Sequence, residues 1–271
     1  MNEIEKIKIE KHPFEVWENI DTYSQSALSD IPQSDIERMK WHGVFHRKRD
    51  ENFMIRIHIT ACELNSVQAR EISRISYEFG HGFVDITTRS NIQVQGINLS
   101  NIKKSVSRLN KTGLSTKQTG LDNIRNVNCH PLSGLDPEEL IDTRDLCGKI
   151  TDLFLDSREL SDLPRKFNIS VSGLQFHEPH YWTQDISYLA GKKKDGAVRF
   201  QALLAGMQGP KPHLAWPMPV LLKAEQIVPV TEAILNLFRT QGSRERRDQI
   251  RFRYLVERIG VRAHLEEERP A

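Results

Sequence analysis

The chain has 271 residues, of which 38% are hydrophobic and 27% are charged, a composition typical of globular proteins with one large or two ordinary domains. Its 38 Lys and Arg residues nearly balance 36 Asp and Glu residues, and the resulting net charge of +2 argues against nucleic acid or an anionic membrane as a partner. No apolar run approaches the roughly 18 residues of a membrane span, and the charged start lacks a secretory signal, so we expect a cytoplasmic protein without a membrane segment.

The first forty residues differ in texture from the rest of the chain. They are rich in charge, with a short apolar stretch at 14–20 and a break at Pro32. We interpret residues 1–40 as an N-terminal arm, and the sequence leaves open whether the arm packs on this chain or on a neighbour.

A regular hydrophobic pattern begins at residue 52. Apolar and polar residues alternate over 53–59, which predicts a half-buried strand whose polar side carries Arg56 and His58. The spacing then predicts a helix, a strand and a second helix, at 66–79, 83–95 and 100–113. Strand, helix, strand and helix within about sixty residues form an α/β unit of the ferredoxin-like kind, which we place at 41–115.

The pattern changes after Gly120. Residues 121–135 are polar and resemble a loop. Beyond this loop the pattern predicts helices at 136–154, 224–240 and 243–259 and strands at 163–173 and 198–205. The arginines of the last predicted helix are interpreted as solvated surface charges, with some of them able to meet an acidic partner.

The three cysteines, Cys62, Cys129 and Cys147, are widely separated and odd in number, which favours reduced thiols over a disulfide framework. No Cys-x-x-Cys motif is present in the sequence. We therefore expect no metal ligand set in this chain alone, neither for structural zinc nor for an iron–sulfur centre.

Three polar stretches, at 87–96, 122–127 and 163–173, combine cations with amides. Because side chains alternate between the two faces of a strand, the first stretch predicts a polar face made of Arg89, Asn91, Gln93 and Gln95. By the same rule, the third stretch predicts a face made of Lys166, Asn168, Ser170 and Ser172. These faces suit an anionic ligand, although a solvated strand face, or a self-bonded turn around Arg125, explains each stretch taken alone.

Taken together, the stretches resemble the sirohaem-dependent nitrite and sulfite reductase family. In that family a Thr-Thr-Arg strand, an Asn-x-Arg-Asn loop and a Leu-Pro-Arg-Lys-Phe strand occur in this order, as at 87–89, 123–126 and 163–167 here. The resemblance spans roughly residues 40 to 260. It implies an α+β fold, in which a ferredoxin-like half domain is followed by a mixed α/β sirohaem-binding nitrite/sulfite reductase domain at 116–262 and a tail at 263–271.

The resemblance also implies roles for individual residues. Sirohaem carries eight carboxylates, and cations and amides form strong hydrogen bonds with such groups. The residues implied to act on the substrate are Arg89, Arg125, Lys166 and Asn168. The residues implied to bind the cofactor are Arg56, His58, Thr87, Thr88, Asn91, Gln93, Gln95, Asn126 and Arg165.

The triplet Lys166-Phe167-Asn168 favours nitrite over sulfite. Sulfite reductases of the family typically have a second lysine at the position of Asn168, whereas nitrite reductases have asparagine. A less charged site suits the monoanion nitrite better than the sulfite dianion.

Full-length members of the family are about twice as long and carry the four cysteines of a 4Fe-4S cluster in their second half. The resemblance thus implies a half-length reductase component that reduces nitrite to ammonia with six electrons. It would need a cysteine-containing second half or subunit and an electron donor such as ferredoxin. The alternatives are a non-catalytic sirohaem or anion carrier or sensor, and a truncated gene product.

Overall fold

The computed structural model describes residues 2–49, 51–174 and 179–260. Within these ranges the α-helices are α1 (Glu3–Glu10), α2 (Ile20–Tyr23), α3 (Gln33–Met39), α4 (Ser66–Phe79), α5 (Ile102–Asn110), α6 (Arg144–Phe154), α7 (Ala224–Gln241) and α8 (Phe252–Ile259). The β-strands there are β1 (Val44–His46), β2 (Phe53–Ile57), β3 (Val84–Ile86), β4 (Ile92–Ile97), β5 (Ile169–Ser172), β6 (Ile186–Lys192), β7 (Val198–Leu204) and β8 (Trp216–Leu222). None of these helices is both long and apolar enough to cross a membrane. The predicted tail at 263–271 lies outside the described residues.

The first sheet is antiparallel, with its strands in the order β1-β2-β4-β3. Ile55 of β2 faces Val94 of β4, and both are fully buried in one cluster with Ile75 of α4. Helix α4 begins after Asn65, whose side chain accepts from the Gln68 N–H while the Gln68 side chain accepts from the Asn65 N–H. The predicted helix at 66–79 is confirmed.

The second sheet has the order β5-β6-β7-β8, with β5 parallel to β6 and the other pairs antiparallel. Its core includes three aromatic rings, Phe167, Phe238 and Phe252, whose centroids are 5.2 to 5.7 Å apart. Two of these rings come from α7 and α8, which therefore pack against the start of β5. The two sheets with their helices confirm the predicted α+β fold class.

Two of the predicted helices begin later than expected. The helix predicted at 136–154 starts at Arg144, because Asp136 and Asp142 accept hydrogen bonds from the N–H two residues ahead and so favour turns. The helix predicted at 243–259 starts only at Phe252. Three arginines before Phe252, namely Arg244, Arg247 and Arg251, pair with distant carboxylates, which holds this segment out of a helix.

The strand predictions were less accurate. The stretch 83–95 is interrupted by a turn between β3 and β4, and only Ile169–Ser172 of the stretch 163–173 is a strand. Strands β6 and β8 were not predicted. The first five residues of β6 are all buried, so they show no alternation, and β8 contains Pro217 and Pro219, which are typical of edge strands.

The N-terminal arm packs on this chain, which answers the question that the sequence left open. Val16, Ile20 and Met39 lie in the same buried cluster as the first sheet. Helix α1 reaches the second half of the chain through Lys8, which pairs with Glu5 of the same helix at 2.5 Å and with the distant Asp162 at 2.9 Å. The arm thus contacts both halves.

Glu5→Ala tests this contact. The Glu5 side chain is 5% exposed and also pairs with Arg244 at 2.8 Å, so its removal leaves the buried Lys8 ammonium short of a partner. We expect the free energy of unfolding to fall by about 2 kcal/mol in urea titrations. Glu3→Ala, on the same helix but 82% exposed, is the matched control and should change it by less than about 0.5 kcal/mol. Equal effects of the two substitutions would contradict a structural role for the buried pair.

Candidate anion-binding site

Arg89 lies in the turn between β3 and β4 and not on a strand face, so the predicted common face of Arg89, Asn91, Gln93 and Gln95 is wrong in this part. The hydroxyl of Thr87 accepts hydrogen bonds from the N–H groups of Arg89 (3.3 Å) and Asn91 (3.1 Å) and thereby closes the turn. The Arg89 guanidinium is half-buried, and its Nε has no hydrogen-bond partner in the described structure.

Asn126 fixes this turn to the segment that follows β2. Its amide nitrogen donates to the carbonyl oxygens of Arg89 and Ile59, both at 2.9 Å, and its oxygen accepts from Nδ1 of His58 at 3.2 Å. Asn126 and His58 are 1% and 4% exposed. Both were expected to bind the cofactor directly, and in the structure their described bonds hold the Arg89 turn in place.

Arg125 and Arg56 converge on a single backbone atom. Arg125 donates to the carbonyl oxygens of Thr119 and, at 2.8 Å, Leu121, and Arg56 also donates to the Thr119 oxygen, at 3.1 Å. With its amide oriented to accept, Gln93 receives two further bonds from Arg56, at 3.1 and 3.0 Å. The loop 119–125 and the strand pair β2–β4 therefore bring two guanidinium groups side by side.

The segment before β5 carries Lys166 and Asn168. The Phe167 N–H donates to the Asn123 oxygen at 3.0 Å, and the Arg125 N–H donates to the Phe167 oxygen at 2.8 Å, so this segment lies against the Arg125 loop. Lys166 is half-buried and makes no hydrogen bond or ion pair with any described residue. Asn168 is 3% exposed, and its Oδ1 has no hydrogen-bond partner in the described structure.

Two arginines of this site, Arg247 and Arg251, were interpreted from the sequence as solvated charges, and that interpretation is wrong. Arg247 binds both carboxylate oxygens of the fully buried Asp122, at 2.9 and 2.8 Å. Arg251 binds Asp185 in the same way, at 3.3 and 2.7 Å. The sequence gives no sign of these pairs, because each joins residues 66 or 125 positions apart.

The remaining predicted cofactor ligands do not lie together in the structure. Arg165 approaches Asp122 at 3.5 Å and therefore lies beside Arg247. Gln95 is 6% exposed and bonds Arg47 and Asp85, each at 2.7 Å, so its amide is already engaged at the first sheet. Thr88 is exposed at the tip of the turn.

The cations of the site lower one another's pKa. Burial, followed by the charges of Arg251, Arg125, Arg89 and Arg165, lowers the pKa of Lys166 to about 8. Burial, followed by the charges of Arg56 and Arg89, also lowers the pKa of Arg125, although a guanidinium stays protonated at neutral pH. Arg56, Arg89, Arg125 and Lys166 form no salt bridge with a carboxylate of the described residues. They make up the unpaired cation cluster.

A cavity of about 300 Å³ adjoins this cluster. Its charged and polar lining residues include Arg165, Lys166, Gln208, Lys211, Arg247, Asp248, Arg251 and Tyr254. Several buried polar atoms of the region have no hydrogen-bond partner in the described structure, namely Arg89 Nε, Arg165 Nε, Asn91 Oδ1, Asn168 Oδ1 and Ser170 Oγ. Because buried polar groups are normally bonded, the unpartnered donors Arg89 Nε and Arg165 Nε point to a ligand that accepts hydrogen bonds, and the excess of positive charge favours an anion.

The cysteines lie beside this site but are engaged in the core. The Cys62 thiol contacts the Ser90 hydroxyl at 2.8 Å, and the Cys129 thiol donates to the Ala61 oxygen at 3.0 Å. A bond to the Cys147 thiol, together with burial, raises the pKa of Cys129 to about 12. Across the described ranges, no group of three or more His, Cys, Asp and Glu side chains is arranged to hold a metal ion.

His58 provides a test of the buried network through the pH dependence of stability. Burial lowers the pKa of His58 to about 4. As the pH falls, His58 is therefore protonated near pH 6.5 in the unfolded chain but only near pH 4 in the folded chain. The stability contributed by neutral His58 is therefore complete above pH 6.5 and is lost as the pH falls toward 4. Between pH 6.5 and 5 this loss amounts to about 2 kcal/mol.

We expect His58→Gln to remove most of this contribution, so that urea titrations at pH 7 and pH 5 differ less than in the wild type. The substitution His81→Gln, at an exposed position, is the control and should leave the difference unchanged. A pH dependence of His58→Gln equal to that of the wild type would contradict a neutral, buried His58.

Comparison with known proteins provides independent information. Residues 46–112 match the family model of the nitrite/sulfite reductase ferredoxin-like half domain, and residues 120–268 match that of the nitrite and sulphite reductase 4Fe-4S domain. Ferredoxin–nitrite reductase of Leptolyngbya laminosa is 33% identical over 99% of this chain and 54% of its own length. The chloroplastic ferredoxin–nitrite reductase of Arabidopsis thaliana is 31% identical over 96% of this chain and 47% of its own length.

Sulfite reductase [ferredoxin] 1 of Mycolicibacterium paratuberculosis is 28% identical over 96% of this chain and 50% of its own length. Among solved structures, that of the Mycobacterium tuberculosis NirA protein superposes with a TM-score of 0.90 at 25% identity, over 98% of this chain and 53% of that one. The chain thus spans about half the length of the curated relatives it matches.

Proposed function

Because this chain belongs to the nitrite and sulphite reductase family, we propose that it forms the substrate-binding part of a sirohaem-dependent reductase that converts nitrite to ammonia with six electrons. The observation that carries the proposal is the unpaired cation cluster of Arg56, Arg89, Arg125 and Lys166. Like charges in a half-buried site repel one another, and an anionic ligand relieves this repulsion. Nitrite and the carboxylates of sirohaem are both anions of this kind.

The residues present fit sirohaem. Its carboxylates need several hydrogen-bond donors held in fixed positions, and Arg56 and Arg165 are each held on one side by Gln93 or Asp122. The unbonded Nε of Arg165 offers a donor that the protein itself leaves unused. When bound, sirohaem supplies the iron at which the substrate is reduced.

Arg89, Arg125, Lys166 and Asn168 are proposed to face the substrate. Arg125 is fixed by two backbone carbonyls and can hold an anion oxygen without reorganising. Lys166 has no other partner among the described residues and a pKa near 8, so at neutral pH it is protonated and is a better acid than an ordinary lysine. We assign it proton donation to the oxygen that leaves nitrite.

Asn168 supports nitrite over sulfite as the substrate. Its amide is buried and uncharged, so it adds a hydrogen-bonding group without a further positive charge. Relatives named ferredoxin–nitrite reductase and a relative named sulfite reductase both match the chain, which keeps sulfite as the second candidate.

Electrons must reach the site through groups that residues 1–271 do not supply. The three cysteines of this sequence are not spaced as cluster ligands, and their described contacts lie within the core. We propose that a further polypeptide segment or a second subunit provides the 4Fe-4S ligands, and that a ferredoxin-type donor delivers the electrons in the cytoplasm.

Sirohaem binding is the first test. We expect the 271-residue chain, or its complex with the cysteine-bearing polypeptide, to retain sirohaem with its characteristic visible spectrum. Arg56→Ala and Arg165→Ala should weaken retention severalfold. Arg74→Ala, on the exposed side of α4, is the control and should not. A colourless complex would contradict the proposal.

Lys166→Ala separates catalysis from cofactor binding. We expect nitrite-dependent turnover of the loaded complex to fall by about 100-fold or more, the usual range for loss of a general acid, while sirohaem content stays within about twofold. Lys149→Ala, an exposed lysine on α6, is the matched control and should leave both unchanged. Equal loss of turnover and sirohaem would contradict a catalytic role for Lys166. Retention of sirohaem without turnover in the wild-type complex would instead favour a carrier or sensor.

A further inference from the structure

We propose that Asp185 and Arg251 form a positioning pair for Lys166, in which the buried carboxylate fixes the segment that carries Lys166 and holds a permanent positive charge beside its ammonium group. The pair deepens the proposed function, on which its catalytic meaning rests. Neither residue belongs to the polar stretches that the sequence singled out.

Asp185, the carboxylate of the pair, acts on the backbone. β5 and β6 are parallel and begin at neighbouring positions, Ile169 and Ile186, so the residues that precede them lie side by side. The Asp185 carboxylate accepts from the Asn168 backbone N–H at 2.9 Å, and the Asn168 backbone carbonyl accepts from the Ile186 N–H at 3.1 Å. These two bonds fix the chain two residues after Lys166, although β5 itself begins only at Ile169.

Arg251, the cation of the pair, acts through its charge. Arg251 directly precedes α8 and binds Asp185 through Nε and Nη2, at 3.3 and 2.7 Å, and it is only 7% exposed. These two hydrogen bonds to one carboxylate leave the guanidinium few alternative orientations. Arg251 and Lys166 line the same cavity, and the guanidinium cannot lose its proton at neutral pH.

The surroundings of Lys166 show what this charge does. The cations that bear on the ammonium group are Arg251, Arg125, Arg89 and Arg165, and the other charged residues that line its cavity are Lys211, Arg247 and Asp248. Of the charges that lower the pKa of Lys166 to about 8, that of Arg251 has the largest effect. The carboxylate of Asp185 bonds Arg251 and Asn168 and forms no ion pair with Lys166. Lys166 therefore keeps its proton available for transfer.

The test measures Lys166 directly and needs neither sirohaem nor turnover. The chain is treated with a limiting amount of acetic anhydride between pH 6 and 11, and acetylation of Lys166 is followed by peptide mass spectrometry. Only the neutral amine reacts, so the half-maximal rate reports the pKa. We expect a midpoint near 8 in the wild type.

Arg251→Gln removes the charge and should raise the midpoint by about one unit, which lowers the acetylation rate at pH 8 roughly fivefold. Arg251→Lys keeps a positive charge next to Asp185 and should stay close to the wild type. The matched control is Arg253→Gln, which changes the net charge equally at a residue that pairs with Glu257 at 2.9 Å.

Lys8, whose side chain is 4% exposed, reports folding in the same experiment, because unfolding would expose both lysines. A raised Lys166 midpoint in Arg251→Gln alone, with Lys8 still protected, supports the pair. An unchanged midpoint in Arg251→Gln, or an equal shift in Arg251→Lys or Arg253→Gln, overturns it. If Lys8 loses protection in Arg251→Gln, that variant has unfolded, and the test then uses Arg251→Lys. A Lys166 midpoint in Arg251→Lys equal to that of the wild type supports the pair. A midpoint above the wild-type value overturns it. Failure to bind sirohaem would overturn the proposed function and leave this result standing.

Discussion

Repulsion between like charges in a half-buried space is the constraint on which this structure depends. Arg56, Arg89, Arg125 and Lys166 come from four separate segments of the chain, and no described carboxylate pairs with them. Holding such a set together costs free energy, because burial removes the water that would screen the charges. The fold meets this cost with rigid supports around the cluster. A bound anion would recover part of this cost, so the site is predisposed to bind one.

The supports follow a common plan. Two fully buried carboxylates, Asp122 and Asp185, hold arginines at the edge of the cluster without neutralising its centre. Neutral groups position the cations at the centre, since Asn126 fixes the Arg89 turn and backbone carbonyls orient Arg125. Negative charge is thus confined to the periphery. A carboxylate at the centre would pair with the cations and compete with the anion.

The sequence predicted those parts of the fold that local pattern determines. Helix α4 was predicted with its bounds, because its apolar spacing lies within one short segment. The turn at Arg89 was mistaken for a strand, because it contains neither glycine nor proline and depends on the hydroxyl of Thr87. Arg251 was dismissed as a surface charge, because its partner Asp185 is distant in sequence. Site residues were recognisable as motifs, whereas the residues that position them depend on tertiary contacts.

The carbonyl oxygen of Thr119 accepts from both Arg56 and Arg125, and this affects how the sequence of such a site can change in evolution. Every amino acid supplies a backbone carbonyl, so replacement of Thr119 can preserve this oxygen as long as the local chain path is kept. The buried Thr119 side chain has a separate constraint, because its hydroxyl donates to the Thr116 carbonyl oxygen at 3.0 Å, whereas the two guanidinium groups use only the backbone oxygen. A contact of this kind leaves no trace in residue identity and is inherited through backbone shape alone.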